Sequence, residues 1–162
     1  MHTASLRRSF QTLRRGFTLI ELLLVIGIIA ILASIVIVAI NPTKQLGDAR
    51  NAQRRSDVNT ILNAIYQYAI DNNGNLPSGI PTGIASAKPL CQAWVDVTTC
   101  TTTIGGVNIR MLSGTYITSV PHDPQLADTG TGSRYYIYQD TSSRITVFAP
   151  YAEQGATISV TR

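Results

Sequence analysis

Phe17-Thr18-Leu19-Ile20-Glu21-Leu22-Leu23-Leu24-Val25-Ile26-Gly27-Ile28 opens an apolar run that continues to Ile40, and only Thr18, Glu21, Gly27 and Ser34 interrupt it. As a helix rising ~1.5 Å per residue, residues 17–40 span roughly 36 Å, more than the ~30 Å hydrocarbon core of a bilayer. A secretory signal peptide has a shorter apolar stretch and a small-residue cleavage site, and no A-x-A appears here. The segment reads as a membrane anchor. Arg7, Arg8, Arg14 and Arg15 precede it and few charges follow it closely. The positive-inside rule therefore places the N-terminus in the cytoplasm and the rest of the chain outside. Arg7-Arg8 also fits a twin-arginine export signal, for which the apolar run is long.

The remaining composition is modest. With 162 residues, 44% hydrophobic and 14% charged, there is room for one small domain and an appendage, which excludes most multidomain enzymes. Four of the 13 basic residues lie in the first 16 positions, leaving nine against nine acids in the body of the chain. The formal charge of +4 is thus a property of the N-terminal segment and indicates no nucleic-acid partner. The chain also lacks the basic, aromatic-lined groove that would select DNA.

Glu21 is the anomaly in the anchor. A carboxylate near a bilayer interior costs at least a few kcal/mol and calls for a partner, although a position near the cytoplasmic end also allows snorkelling to the headgroups. The surrounding order, Arg14-Arg15-Gly16-Phe17-Thr18-Leu19-Ile20-Glu21 followed by Leu22-Leu23-Leu24-Val25-Ile26, resembles the N-terminal motif of type IV prepilins and major pseudopilins. The resemblance implies that a prepilin peptidase cuts after Gly16 on the cytoplasmic side and that Phe17, the new N-terminus, is N-methylated. It further implies withdrawal of the processed chain from the membrane into a homo-oligomeric filament whose centre is packed with the apolar helices. Physical chemistry agrees at two points: Gly16 lets an extended backbone enter a narrow protease site, and cutting there creates an amine able to neutralise a carboxylate. Glu21 lies one turn past Phe17, so its own terminus and a neighbour's are both available. The neighbour is preferred, because a filament core must satisfy both charges and the pair would set axial register.

Beyond the anchor, Asn41-Pro42 predicts a kink or short unwinding, since proline removes a donor and disfavours helix at the residue before it. Val58, Ile61, Leu62, Ile65 and Ala69 then follow helical spacing, with Arg54, Arg55, Asp57, Asn59, Asn63, Gln67 and Asp71 on the other faces. Asn72-Asn73-Gly74 is a stop signal, with Pro77 shortly after. The expectation is one helix over residues 17–73, membrane-spanning in its first half and amphipathic in its second. Residues 135–139 and 144–149 read as a β-hairpin turning at 140–143, with a third strand at 157–161. A long helix packed on a small antiparallel sheet is an α+β architecture, and pilins are built that way. The segments are thus a leader (1–16), a membrane or filament-core helix (17–40), its amphipathic continuation (41–73) and a globular sheet domain (74–162). The helix exit at Asn73-Gly74-Asn75-Leu76-Pro77, and Val120-Pro121-His122-Asp123-Pro124 ahead of a Gly-rich turn, also resemble pilins and major pseudopilins.

Cys91 and Cys100 are the two cysteines, on the side of the membrane where disulfides persist, and a bridge between them is expected. Zinc is not, because the spacing is wrong for C-x2-C and His122 is the one histidine beyond the leader. Trp94, inside the Cys loop, is expected to pack rather than to bind. Asp123, Asp128 and Asp140 surround Gly130 to Gly132, and major pseudopilins resemble this in carrying calcium in their C-terminal loops. Turn-forming acids explain the same residues, so no metal or cofactor is assigned and calcium stays open at Asp123 and Asp128. No P-loop, H-E-x-x-H or G-x-S-x-G is present, and the chain reads as a substrate of enzymes rather than an enzyme.

The function expected is a structural subunit of a type IV pilus or pseudopilus. Its partners are other copies of itself, a prepilin peptidase and methyltransferase, the membrane, and a pilus or secretion assembly machine. Before assembly it is a single-pass membrane protein; afterwards it belongs to an extracytoplasmic or cell-surface filament. The competing expectation is a permanently anchored, adhesin-like binding module, which predicts an uncut N-terminus.

Overall fold

Thr18 starts the first helix. In the computed structural model, which describes residues 16–126 and 131–162, α1 covers Leu19–Ile40 and is opened by a capping box between Thr18 and Glu21. The Thr18 hydroxyl accepts from the Glu21 backbone N–H at 3.3 Å, and the Glu21 carboxylate accepts from the Thr18 backbone N–H and hydroxyl, both at 2.8 Å. Such reciprocal bonds satisfy donors that a helix start leaves open. Asn41 ends α1 in the left-handed conformation, with φ 45° and ψ 75°, which an asparagine tolerates better than most residues. Pro42 then begins α2 (Pro42–Asp71), where its missing N–H costs nothing. The expected single helix over 17–73 is therefore two helices, broken at Asn41 and ending at Asp71. The chain divides between Pro42 and Thr43, and each part is described by itself.

In the second part α2 closes with Gly74 N–H bonded to Ala69 C=O at 2.7 Å and both Asn73 and Gly74 at positive φ, so the Asn-Asn-Gly stop ends the helix by left-handed geometry. Four strands follow: β1 (Lys88–Cys91), β2 (Gly132–Gln139), β3 (Ile145–Phe148) and β4 (Ser159–Thr161). They form one antiparallel sheet in the order β1-β2-β3-β4. The hairpin register pairs Ile137 with Val147 and Gln139 with Ile145. Tyr135 and Ile137 of β2, Ile145 and Val147 of β3, and Leu90 of β1 join Val58, Ile61, Leu62 and Ile65 of α2 in one core. Each fully buried aliphatic side chain contributes about 1.5–3 kcal/mol, which is what holds sheet to helix.

The structure adds β1, whose four residues include Pro89 and show no alternation of apolar and polar character. As an edge strand β1 accommodates that proline. The third expected strand, over 157–161, is confined to Ser159–Thr161.

Candidate functional site

Two features of the molecule carry chemistry, and they lie in different parts of the chain. The first is the start of α1. The helix has 22 residues, with an 18-residue stretch of mean hydropathy 3.3, long and apolar enough to cross a membrane, and none of them is buried. Phe17 is 83% exposed. An apolar surface this continuous is an interaction surface by size alone. Glu21 is turned back toward the chain start by its bonds to Thr18. A Cβ built at Gly16 would meet nothing within 4 Å, so nothing within the described chain demands glycine at this position.

The second feature is a charge cluster on α2, two of whose members, Arg54 and Asp57, are expected by their charge on the faces away from the core and are instead buried with it. Arg54 is fully buried, and Asp57 is nearly so. Arg54 Nε donates to Asp123 Oδ2 at 2.7 Å and NH2 to Asp123 Oδ1 at 3.1 Å. NH2 also donates to Gln125 Oε1 at 2.9 Å, while NH1 donates to Asn51 Oδ1 at 3.0 Å and Glu153 Oε2 at 2.9 Å. Arg50 forks onto the same Glu153 carboxylate, at 2.7 and 2.6 Å. The arginine hydrogen bonds hold the Glu153 carboxyl down at about 2, and those to Asp123 and Glu153 push Arg54 further toward its charged form. Next to this cluster, Asp57 accepts from the Tyr135 hydroxyl at 2.6 Å and from Gln53 Nε2 at 2.7 Å. Burial raises the Asp57 carboxyl, and it raises the Tyr135 phenol too. Little in the local sequence points to this cluster, since apart from Asn51 the partners of Arg54 lie 69, 71 and 99 positions away.

Cys91 and Cys100 are joined in a disulfide, with Cα atoms 5.9 Å apart. A Cβ on Gly106 would come within 2.7 Å of both Cys91 Sγ and the Pro89 carbonyl, so only glycine lets the chain pass that close to the bridge. Trp94 does not pack as expected: it is 60% exposed, at the surface of the disulfide loop. Of the residues considered for calcium, Asp123 and Asp140 are engaged by other partners. Asp123 gives both oxygens to Arg54 and accepts from Gln125 N–H at 2.8 Å as well. Asp140 accepts from the backbone N–H groups of Ser142 and Arg144 at 2.8 and 2.9 Å, as a turn-forming acid does. Asp128 lies outside the described residues. Among the described residues, no three His, Cys, Asp or Glu side chains come together where they could hold a metal.

Residues 12–37 match the family described as the prokaryotic N-terminal methylation motif. The chain is also 40% identical over 60 residues to type II secretion system core protein G of Escherichia coli (strain K12), a match covering 37% of this chain and 40% of that protein. Proteins of the same name match similarly, at 38% identity over 60 residues in Pectobacterium carotovorum subsp. carotovorum and 41% over 58 residues in Aeromonas hydrophila. They cover 37% and 36% of this chain, and 37% and 39% of those proteins. The N-terminal part of the chain is thus similar to type IV pilins and pseudopilins. The matches span about two fifths of the relatives' length. No solved structure matches the chain. For a pilin or pseudopilin, the α+β head beyond Pro42 and the exposed apolar helix before it are the expected parts.

Proposed function

We propose that this chain is a structural subunit of a pseudopilus or type IV pilus. It is inserted in the membrane with its N-terminus in the cytoplasm and cut after Gly16 by a prepilin peptidase. It is then N-methylated at Phe17 and polymerised through α1 into an extracytoplasmic filament. The observation that carries the proposal is α1 itself: 22 residues, apolar apart from Glu21, Gly27 and Ser34, none of them buried among the described residues. Lipid covers that surface before assembly and neighbouring α1 helices cover it afterwards, an exchange with little hydrophobic cost. The open surroundings of Gly16 support cleavage there, because the need for a small residue then comes from the peptidase. Glu21 supplies the polar term. In the filament its carboxylate pairs with the Phe17 amine of a neighbour, a charge that methylation preserves. The relatives' name, type II secretion system core protein G, favours a secretion pseudopilus and its assembly machinery as the partners.

The test is the intact mass and N-terminal sequence of the protein from its own cells, in membrane and sheared surface fractions. A chain beginning at methylated Phe17 in the sheared fraction is expected. Uncut protein confined to the membrane would refute the proposal in favour of a permanently anchored binding module. Gly16→Leu is expected to leave the leader attached, read as the precursor mass in the membrane fraction.

A further inference from the structure

The cluster around Arg54 has the composition of a cation site. Five oxygens surround the guanidinium: both of Asp123, Oε1 of Gln125, Oδ1 of Asn51 and Oε2 of Glu153. Two carboxylates and two side-chain amides form the kind of donor set that hard divalent ions take. Here each of the five guanidinium N–H groups has one of those oxygens, so the donor capacity of Arg54 is filled. The charges also balance. Asp123 and Glu153 bring two negative charges, and Arg54 and Arg50 bring two positive ones.

The segments brought together have little regular structure of their own. Asp123 and Gln125 sit in the loop between Val120 and Leu126, and Glu153 in the turn after β3, where Gln154 and Gly155 have positive φ. Asn51 reinforces the second loop, its Nδ2 donating to the Glu153 carbonyl at 2.8 Å and its Oδ1 accepting from the Glu153 N–H at 3.0 Å. α2 thus holds two loops through one buried side chain. We infer that the Arg54 guanidinium is the resident cation of an oxygen cage joining α2 to these loops, so that the head closes without a divalent ion. This departs from the calcium that the resemblance to major pseudopilins suggests, and it does not depend on the assembly proposal.

The experiment is thermal unfolding of the full-length chain in detergent micelles, with excess calcium chloride or with EGTA, together with native mass spectrometry for bound calcium. The wild-type midpoint is expected to be the same in both, with no calcium retained. Arg54→Met, which keeps the unbranched apolar stem but not the guanidinium, is expected to lower the midpoint by about 5–15 °C at neutral pH. That deficit should shrink as pH falls from about 4.5 toward 2, the range over which the wild type itself loses the contribution of Glu153, whose charged neighbours are Arg50 and, around the cluster, Asp123, Asp57 and His122. A role in packing alone would give a deficit independent of pH and would overturn the assignment. A wild-type midpoint that rises with calcium, or one calcium retained per chain, would overturn it too. If Arg54→Met does not fold, Arg54→Lys serves in its place: a point charge lacking the fork should give a smaller deficit, and wild-type stability would contradict the cage.

Discussion

At the scale of single residues, the buried pair Tyr135 and Asp57 sets a pH dependence opposite to that of Glu153. Burial raises the Asp57 carboxyl above its ordinary value, so its ionised form is a burden in the fold at neutral pH, and that burden is relieved as pH falls through the raised value. Tyr135→Phe removes one of the two side chains donating to this carboxylate. A loss of about 1–3 kcal/mol at pH 7 is expected from the unsatisfied buried acceptor. It should diminish on acidification, as measured by denaturant unfolding across pH. Glu153 behaves in the reverse way. Its carboxyl is held at about 2, so the stability it contributes is present above the ordinary value near 4.5 and is lost as pH falls from there toward 2. Glu153→Gln should therefore melt below the wild type at pH 7 and converge with it near pH 2. The spacing of Val58, Ile61, Leu62, Ile65 and Ala69 made the apolar face of α2 legible. Arg54 and Asp57 share that face but were illegible, because a charge is buried only where partners meet it. Asp123 and Tyr135, 69 and 78 positions further on, leave no trace in local periodicity.

At the scale of elements, legibility followed the strength of the local signal. The hairpin of β2 and β3 announced itself through aromatic and β-branched runs on either side of Asp140-Thr141-Ser142-Ser143. β1 did not, because four residues containing a proline look like loop, and its place at the sheet edge is set by pairing with β2, whose first residue lies 41 positions beyond Cys91. The break at Asn41-Pro42 was legible as a kink, whereas its form as a left-handed residue between two complete helices was not. The disulfide ties the end of β1 to the short helix Thr99–Ile104, which has Cys100, Val95 and Cys91 as its small satellite core. So small a cluster supplies little hydrophobic stabilisation, and the covalent link should dominate there. Replacing both cysteines by serine is expected to cost about 2–3 kcal/mol in denaturant unfolding, in keeping with the short loop they close. The loss should be accompanied by faster amide exchange in residues 92–106 than in β2 and β3, whose protection rests on the main core.

At the scale of the whole molecule, the question is which property of α1 directs it from bilayer to filament. Hydrophobicity cannot decide, since lipid chains and packed helices offer an Ile or Leu side chain similar surroundings. The deciding group must be one that the bilayer satisfies poorly. Glu21 is that group, yet it serves two purposes at once: it caps α1 through Thr18, and in the filament we propose that it pairs with a neighbour's Phe17 amine. Substitution by alanine removes both and cannot separate them. Glutamine separates them, because an amide oxygen at this position still accepts from the Thr18 N–H, as capping boxes with glutamine do, while the charge is gone. If the ion pair drives assembly, Glu21→Gln and Glu21→Ala should both be inserted and cut, and both should be absent from the sheared surface fraction. If Glu21→Gln instead assembles at wild-type level while Glu21→Ala does not, the carboxylate acts only by fixing the start of α1. Filaments would then take their axial register from packing of the apolar side chains.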